Sequence, residues 1–303
     1  MTGTGEDSIG ELVDGMLGGP RLEIANAEAE LWNEALDGLR ARLRKQGALP
    51  GLPTSRPPEE LDDPFGLDPA TIQRARPFFE FLYRRWFRVQ SQGFEHVPQE
   101  GAVILVANHG GVLPFDAAML IMDGLLKTDP PRVLRALVDR FVEQIPAVRP
   151  FYSAMGQVIG TRENFRALLA RGDRVLIFPE GVAGIGKSFR ARFDLDRFHP
   201  GFVEEALLAQ VPIVPVAMLG PESQAPVIAN LENLAEQLGL PALPITPTFP
   251  LLGPLGLIPL PVSYRIQYGP PIAPEELLAG PPAQTAAEIR NQITGMLRIL
   301  RRS

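Results

Sequence analysis

The run Ala102-Val103-Ile104-Leu105-Val106-Ala107 is apolar at every position, and this fixes the class of fold more than any other feature of the chain. A strand with one wet face alternates apolar and polar residues, whereas a strand covered on both faces has no need to. The run therefore reads as an interior parallel strand of an α/β sheet. Shorter apolar runs predict further strands near Val89 and at Val133–Leu137, Gln157–Gly160, Val175–Phe178, Ile213–Met218 and Ser263–Gln267. Helical patterns fall between or after them, at Ala117–Leu126, Glu163–Ala170, Gly201–Ala209, Leu231–Leu238 and Ala286–Arg301. The alternation predicts an α/β fold, with a mostly parallel central sheet flanked by helices and an N-terminal helical appendage.

Directly after that run come Asn108-His109-Gly110-Gly111-Val112-Leu113-Pro114-Phe115-Asp116. Ligands in open α/β sheets bind beyond the carboxyl ends of the strands, and a glycine pair there lets a substrate approach the backbone. An imidazole at such a place acts as a general base if a carboxylate fixes its tautomer. His109 and Asp116 are that pair of residue types. The same residues also fit a plainer arrangement, in which His109 bonds a loop carbonyl and Asp116 caps the following helix.

The order of motifs along the chain weighs against the plainer arrangement. Gly156-Gln157-Val158-Ile159-Gly160-Thr161-Arg162, then Phe178-Pro179-Glu180-Gly181, then Val211-Pro212-Ile213-Val214-Pro215-Val216 follow the Asn-His…Asp block. The four blocks, in this order over roughly Val89 to Ile272, resemble those of the glycerolipid acyltransferase superfamily. The resemblance implies that His109 and Asp116 are catalytic, with Arg162 and the carboxylate of Glu180 at the acceptor site. Phe178, Pro179 and Gly181 belong to the same implied acceptor block. It also implies a donor thioester, acyl-CoA or acyl-carrier protein, as co-substrate, a glycerolipid acceptor, and no metal or cofactor. The acceptor hydroxyl is then itself the nucleophile. The N–H groups of Gly110 and Gly111 and the Asn108 amide are candidate donors to the oxyanion that forms.

Two departures from the superfamily pattern bear on the acceptor. Six residues, Gly110 to Phe115, separate His109 from Asp116, where the pattern usually has four. Pro114 is expected to turn the longer loop so that Asp116 returns to the imidazole, as in a bacterial branch resembling monoacylglycerol acyltransferases. The third block continues Val182-Ala183 where the superfamily often has Thr-Arg, so one phosphate ligand is missing. Arg162, Lys187 and Arg190 remain as candidates to bind a phosphate. Lysophosphatidic acid and mono- or diacylglycerol all stay open as acceptors, and the motifs specify no chain length, donor carrier or oligomeric state.

At 303 residues and a net charge of −6, the chain suits one large domain and argues against a nucleic-acid partner. Cysteine is absent and there are three histidines, which excludes disulfide and thiolate chemistry and disfavours a histidine-rich metal site. Residues 1–48 are expected to form a helical extension, with Trp32, Leu36, Leu39 and Leu43 on one stripe of a helix Arg21–Lys45. A proline-rich linker spans 49–69, and the acyltransferase α/β domain spans 70–303. Neither a signal peptide nor an 18-residue apolar span is evident, so a cytoplasmic protein held peripherally at the inner face of a membrane is expected.

Two segments suit a lipid interface. Ala70–Arg88 interleaves Phe78, Phe79, Phe81, Tyr83, Trp86 and Phe87 with Arg74, Arg76, Arg84, Arg85 and Arg88, although Pro77 is expected to interrupt the helix and packing on the sheet explains the pattern equally well. Gln237 to Tyr264 contains no charged residue and seven prolines; it reads as an interfacial loop and acyl entrance or as a cover over the core.

One rival motif remains. Gly181 to Ser188 fits the phosphate-loop pattern G-x-x-x-x-G-K-S, the signature of a nucleotide triphosphatase. The charged segment after Ser188 does not open a helix in the expected way, and Ile213–Met218 runs into Leu219-Gly220-Pro221 rather than ending in a magnesium-binding Asp. A catalytically inactive lipid-binding protein is the third alternative, disfavoured by the joint presence of His109, Asp116 and Glu180.

Overall fold

The computed structural model describes residues 62–302 except 112, 141–147, 182–192, 228, 231–243, 247–250, 252–255 and 257. These residues fall in one compact unit, Pro53–Ser303, while the unit Met1–Leu52 lies outside them. The expected helices Arg21–Lys45 and Leu231–Leu238, most of the proline-rich linker, Lys187, Arg190, the phosphate-loop match beyond Gly181 and much of Gln237–Tyr264 also lie outside the described residues.

The main sheet has seven strands: β1 (Gln90–Gln92), β2 (Val103–Ala107), β3 (Leu134–Val138), β4 (Val158–Ile159), β5 (Arg174–Ile177), β6 (Ile213–Leu219) and β9 (Arg265–Tyr268), with a separate small ladder of β7 (Ala229–Asn230) and β8 (Pro244–Ile245). Their spatial order is β1-β9-β6-β2-β5-β3-β4. From β6 to β4 every pairing is parallel; β9 runs antiparallel to β6 and carries β1 parallel to itself. All seven strands lie at or beside their expected positions, and the fold is the expected mostly parallel α/β sheet.

Burial explains the unbroken apolar run. On β2, Val103, Leu105 and Ala107 join one hydrophobic core while Ile104 and Val106 join another. The first core is completed by α1 (Pro69–Phe81) and α2 (Phe115–Lys127), through Ile72, Met119 and Leu120. The second is completed by α4 (Arg162–Ala170), α5 (Gly201–Ala209) and α7 (Pro282–Leu300), through Phe165, Phe202 and Ile293. Among the described residues there are also two short helices, α3 (Val148–Ala154) and α6 (Pro274–Leu277).

The aromatic–arginine helix differs from expectation at Pro77, which α1 contains without interruption. Pro77 and Gln73, whose carbonyl loses its partner there, both face solvent, so water replaces the missing bond. Asp68 caps α1, accepting from Ala70 N–H at 3.0 Å with Pro69 at the first helical position. A π-helical turn, Leu82–Trp86, continues the chain to Arg88.

Candidate active site

β2 lies between β5 and β6, so the residues after its carboxyl end meet those that follow both neighbours. Asn108 turns towards β6: its Nδ2 donates to the Met218 carbonyl at 2.9 Å and its Oδ1 accepts from Met218 N–H at 2.8 Å. This side-chain amide extends the sheet ladder by one rung, using one of its two Nδ2 hydrogens on Met218. Glu180, after β5, faces the other way. Its Oε2 accepts from His109 N–H at 3.1 Å and its Oε1 from Asp196 N–H at 2.9 Å, and the residue is buried. Phe178, Pro179, Glu180 and Gly181 form a turn closed by Gly181 N–H to the Phe178 carbonyl, with Gly181 at φ +60°.

His109 and Asp116 meet as the motif requires. His109 Nδ1 is hydrogen-bonded to Asp116 Oδ2, the imidazole retains 12% exposure and the carboxylate none. The same Oδ2 accepts from Gly110 N–H at 3.1 Å, and Oδ1 from Ala117 N–H at 2.7 Å. Helix α2 begins two residues earlier than the sequence pattern suggests, with Pro114 at its N-cap and Asp116 in its first turn, where the helix dipole favours an anion. The imidazole stacks on the Phe178 ring, centroids 4.3 Å apart. Ring orientation is thus set by a carboxylate at one edge and an aromatic on one face. With Gly110 N–H directed at Asp116, the Gly111 N–H and the second Nδ2 hydrogen of Asn108 are the remaining candidate oxyanion donors.

Burial and the negative charge of Asp116 push the Tyr152 phenol up to about 12. Burial, Asp116 and Glu222 together hold Tyr264 well above its ordinary range. Both are therefore neutral phenols at any working pH. Arg162 lies at the start of α4, with its guanidinium on Glu204 at 2.8 Å and Glu205 at 3.5 Å. The sequence pattern gave no sign of Tyr152 or Tyr264, because each comes near Asp116 from far along the chain. Among the described residues no cluster of His, Cys, Asp and Glu is fit to hold a metal.

The acyltransferase family profile matches residues 88–219, a span that contains both the His109–Asp116 loop and the Glu180 turn. Residues 88–219 thus form an acyltransferase-family segment, in line with the resemblance to the glycerolipid acyltransferase superfamily. An uncharacterized protein of Mycobacterium tuberculosis is 42% identical over 212 residues, which is 69% of this chain and 59% of that one. A chicken (Gallus gallus) protein named DGAT1/2-independent enzyme synthesizing storage lipids is 26% identical over 220 residues, 70% of this chain and 60% of that one. The chain thus spans about 60% of the length of these relatives. The crystal structure of the 1-acyl-sn-glycerophosphate acyltransferase PlsC from Thermotoga maritima shares the fold, with a TM-score of 0.52 at 16% identity over 80% of this chain and 85% of that one.

Proposed function

We propose that this protein moves a fatty acyl group from a thioester, acyl-CoA or acyl-carrier protein, to the hydroxyl of a neutral glycerolipid, mono- or diacylglycerol. The observation that carries the reading is the His109–Asp116 contact at the carboxyl end of β2, with the carboxylate buried and the imidazole partly exposed. His109 Nε2 takes the hydroxyl proton as the acceptor oxygen attacks the thioester carbonyl. The tetrahedral oxyanion collapses, the carbon–sulfur bond breaks, and the imidazolium returns the proton to the leaving thiolate. Asp116 holds the tautomer and faces the positive charge that forms on the ring.

Support for a neutral acceptor comes from Arg162, whose guanidinium already faces two carboxylates, and from Val182-Ala183 in place of Thr-Arg. A phosphate would have to compete with Glu204 and Glu205 for Arg162. The storage-lipid enzyme of chicken points the same way, while the Thermotoga protein, a 1-acyl-sn-glycerophosphate acyltransferase, makes lysophosphatidic acid the acceptor to compare. The acceptors are lipids, and a membrane surface is the proposed place of work; among the described residues no helix is long and apolar enough to cross a membrane.

The test is labelled acyl-CoA with purified full chain and three acceptors: monoacylglycerol, diacylglycerol and lysophosphatidic acid. Acylated product is expected from the first two. His109→Ala should lower kcat by about 100- to 10,000-fold, and Asp116→Asn, which keeps the shape but loses tautomer control, by at least about 100-fold. Arg162→Ala should leave any preference between monoacylglycerol and lysophosphatidic acid unchanged. Near-parental turnover in His109→Ala overturns the mechanism; a KM rise confined to lysophosphatidic acid in Arg162→Ala overturns the neutral acceptor.

A further inference from the structure

The loop from Gly110 to Phe115 is longer than the superfamily pattern, and a buried network outside the matched segment 88–219 holds it. Gln224 is 1% exposed, just after the 3-10 turn Pro221–Ser223 that follows β6. Its Nε2 donates to the Leu113 carbonyl at 3.0 Å, and its Oε1 accepts from the Tyr264 hydroxyl. The orientation of the amide is forced. A carbonyl only accepts, so the NH2 end must face Leu113, and Tyr264 must then donate. The Leu113 carbonyl also accepts from Phe115 N–H at 2.8 Å, so one oxygen receives both the start of α2 and the brace. At the other end of the loop Gly111 sits at φ +81°, and a Cβ there would lie 2.2 Å from Gln224 Nε2 and 2.6 Å from the Pro221 carbonyl oxygen. Tyr264 is itself fixed, its ring stacked on Phe87 at 4.5 Å and its N–H bonded to the Phe87 carbonyl at 2.9 Å.

We propose that Gln224 and Tyr264 are positioning residues, a buried brace that holds the extended 110–115 loop so that Asp116 and His109 stay in register. The inference rests on His109 and Asp116 being the reacting pair. A loop of six residues has more conformations to lose than one of four, and Val112-Leu113-Pro114 offers no side-chain donor or acceptor of its own. Gln224 supplies the missing hydrogen bond from a different strand end, and Tyr264 keeps that amide from rotating.

The experiment compares Tyr264→Phe, which keeps the ring and removes one hydroxyl, with Gln224→Met, which keeps the length and removes both bonds. Turnover of acyl-CoA with monoacylglycerol in detergent micelles is measured alongside the His109 Nδ1 proton resonance. Each variant should lose about 10- to 100-fold in kcat, the cost of a misplaced catalytic group, with KM for both substrates within about twofold. The double variant should be no slower than Gln224→Met alone, because the brace acts as one unit. The Nδ1 proton should shift or broaden in both. Tyr83→Phe, which removes one of three hydroxyl donors from buried Asp123, serves as a control for lost buried hydrogen bonding and should keep parental kcat. Parental kcat and an unmoved Nδ1 resonance in Tyr264→Phe overturn the brace, as does a loss matched by Tyr83→Phe. If Gln224→Met fails to fold, Tyr264→Phe decides alone. A parent that acylates no acceptor, or an active His109→Ala, overturns the functional reading instead, and the Nδ1 resonance then still decides the brace.

Discussion

At the scale of single residues, Glu180 marks the difference between a motif and a position. The motif places a carboxylate after β5; the structure directs its two oxygens onto the backbone N–H groups of His109 and Asp196. A buried carboxylate with two such donors holds the His109 backbone where the ring must sit. Glu180→Gln keeps the volume but turns an NH2 group towards one of those donors, leaving a buried N–H facing another donor. The expected result is a lower melting temperature and a kcat reduced about 10-fold or more, with KM for the acceptor nearly unchanged. A large rise in acceptor KM at constant kcat would instead mean that Glu180 meets the substrate. His109 and Asp116 were legible in the sequence because they are seven positions apart on one loop. The role of Asn108 was not, because its partner Met218 is 110 residues away and any amide in that position would look the same on paper. The same distance problem hid Gln224 and Tyr264: a glutamine and a tyrosine carry no signal until the end of β6 and the start of β9 are known to adjoin the loop.

At the scale of elements, strands were legible because burial on both faces writes apolar residues at consecutive positions. The reversal of β9 and β1 was not, since neither the helical pattern Leu231–Leu238 nor the prolines between Gly220 and Tyr264 specify the direction of the strand that follows. Gly220 makes the crossing possible: at φ +118° its missing Cβ would lie 2.4 Å from the Ser263 carbonyl oxygen. A second element-scale feature is the clasp ahead of α1. Both guanidinium NH2 groups of buried Arg135, on β3, donate to Asp63 at 2.8 and 3.0 Å, and Arg171 adds a third contact at 3.2 Å. Burial pushes the Asp63 carboxyl up, but the hydrogen bond and charge of Arg135, with the N–H groups of Leu67 and Phe65, outweigh it and hold the carboxyl below its usual range. A lowered folded-state pKa contributes stability that is complete above the unfolded value, about 3.9, and fades as pH falls through the folded one. Asp63→Asn should cost about 3 kcal/mol at pH 7, because the buried arginine keeps its charge and loses its counterion. The gap in melting temperature between parent and variant should narrow as pH falls from 5 towards 3. A gap that stays constant over that range would show that packing, and not charge, holds this clasp.

At the scale of the whole molecule, exposed apolar side chains gather where α1 and the segment 258–261 come together. Phe78 and Phe81 on the outer side of α1, with Ile258 and Leu260, are exposed, Phe81 and Ile258 at 50% and 54%. The two segments adjoin: Trp86 Nε1 donates to the Pro259 carbonyl at 3.0 Å, and Arg88 Nη2 to the Pro261 carbonyl at 2.9 Å. Arg84, Arg85 and Arg88 are exposed in the same stretch, a local concentration of positive charge on a chain whose net charge is −6. Exposed aromatic and aliphatic side chains beside Arg85 and Arg88, with Arg84 paired to Glu80 at 2.8 Å, match the composition expected of a surface that would meet anionic lipid. The surface also reaches the site, since the Leu260 N–H donates to the Gln224 carbonyl at 2.7 Å while the Gln224 side chain holds the 110–115 loop through the Leu113 carbonyl. Phe81→Asp combined with Ile258→Asp removes two apolar anchors and sets negative charge against the lipid. Each anchor is worth about 1.5–3 kcal/mol when fully buried, so partial insertion of both predicts at least a 10-fold fall in partitioning onto vesicles containing phosphatidylglycerol. Parent binding should weaken as salt rises, because exposed arginines are screened beyond about a Debye length. Activity on detergent-dispersed monoacylglycerol should survive in the variant while activity on vesicle-borne acceptor falls. If the folded double variant co-floats with liposomes as well as the parent does, this apolar surface is not the membrane contact, and the acceptor reaches His109 by another face.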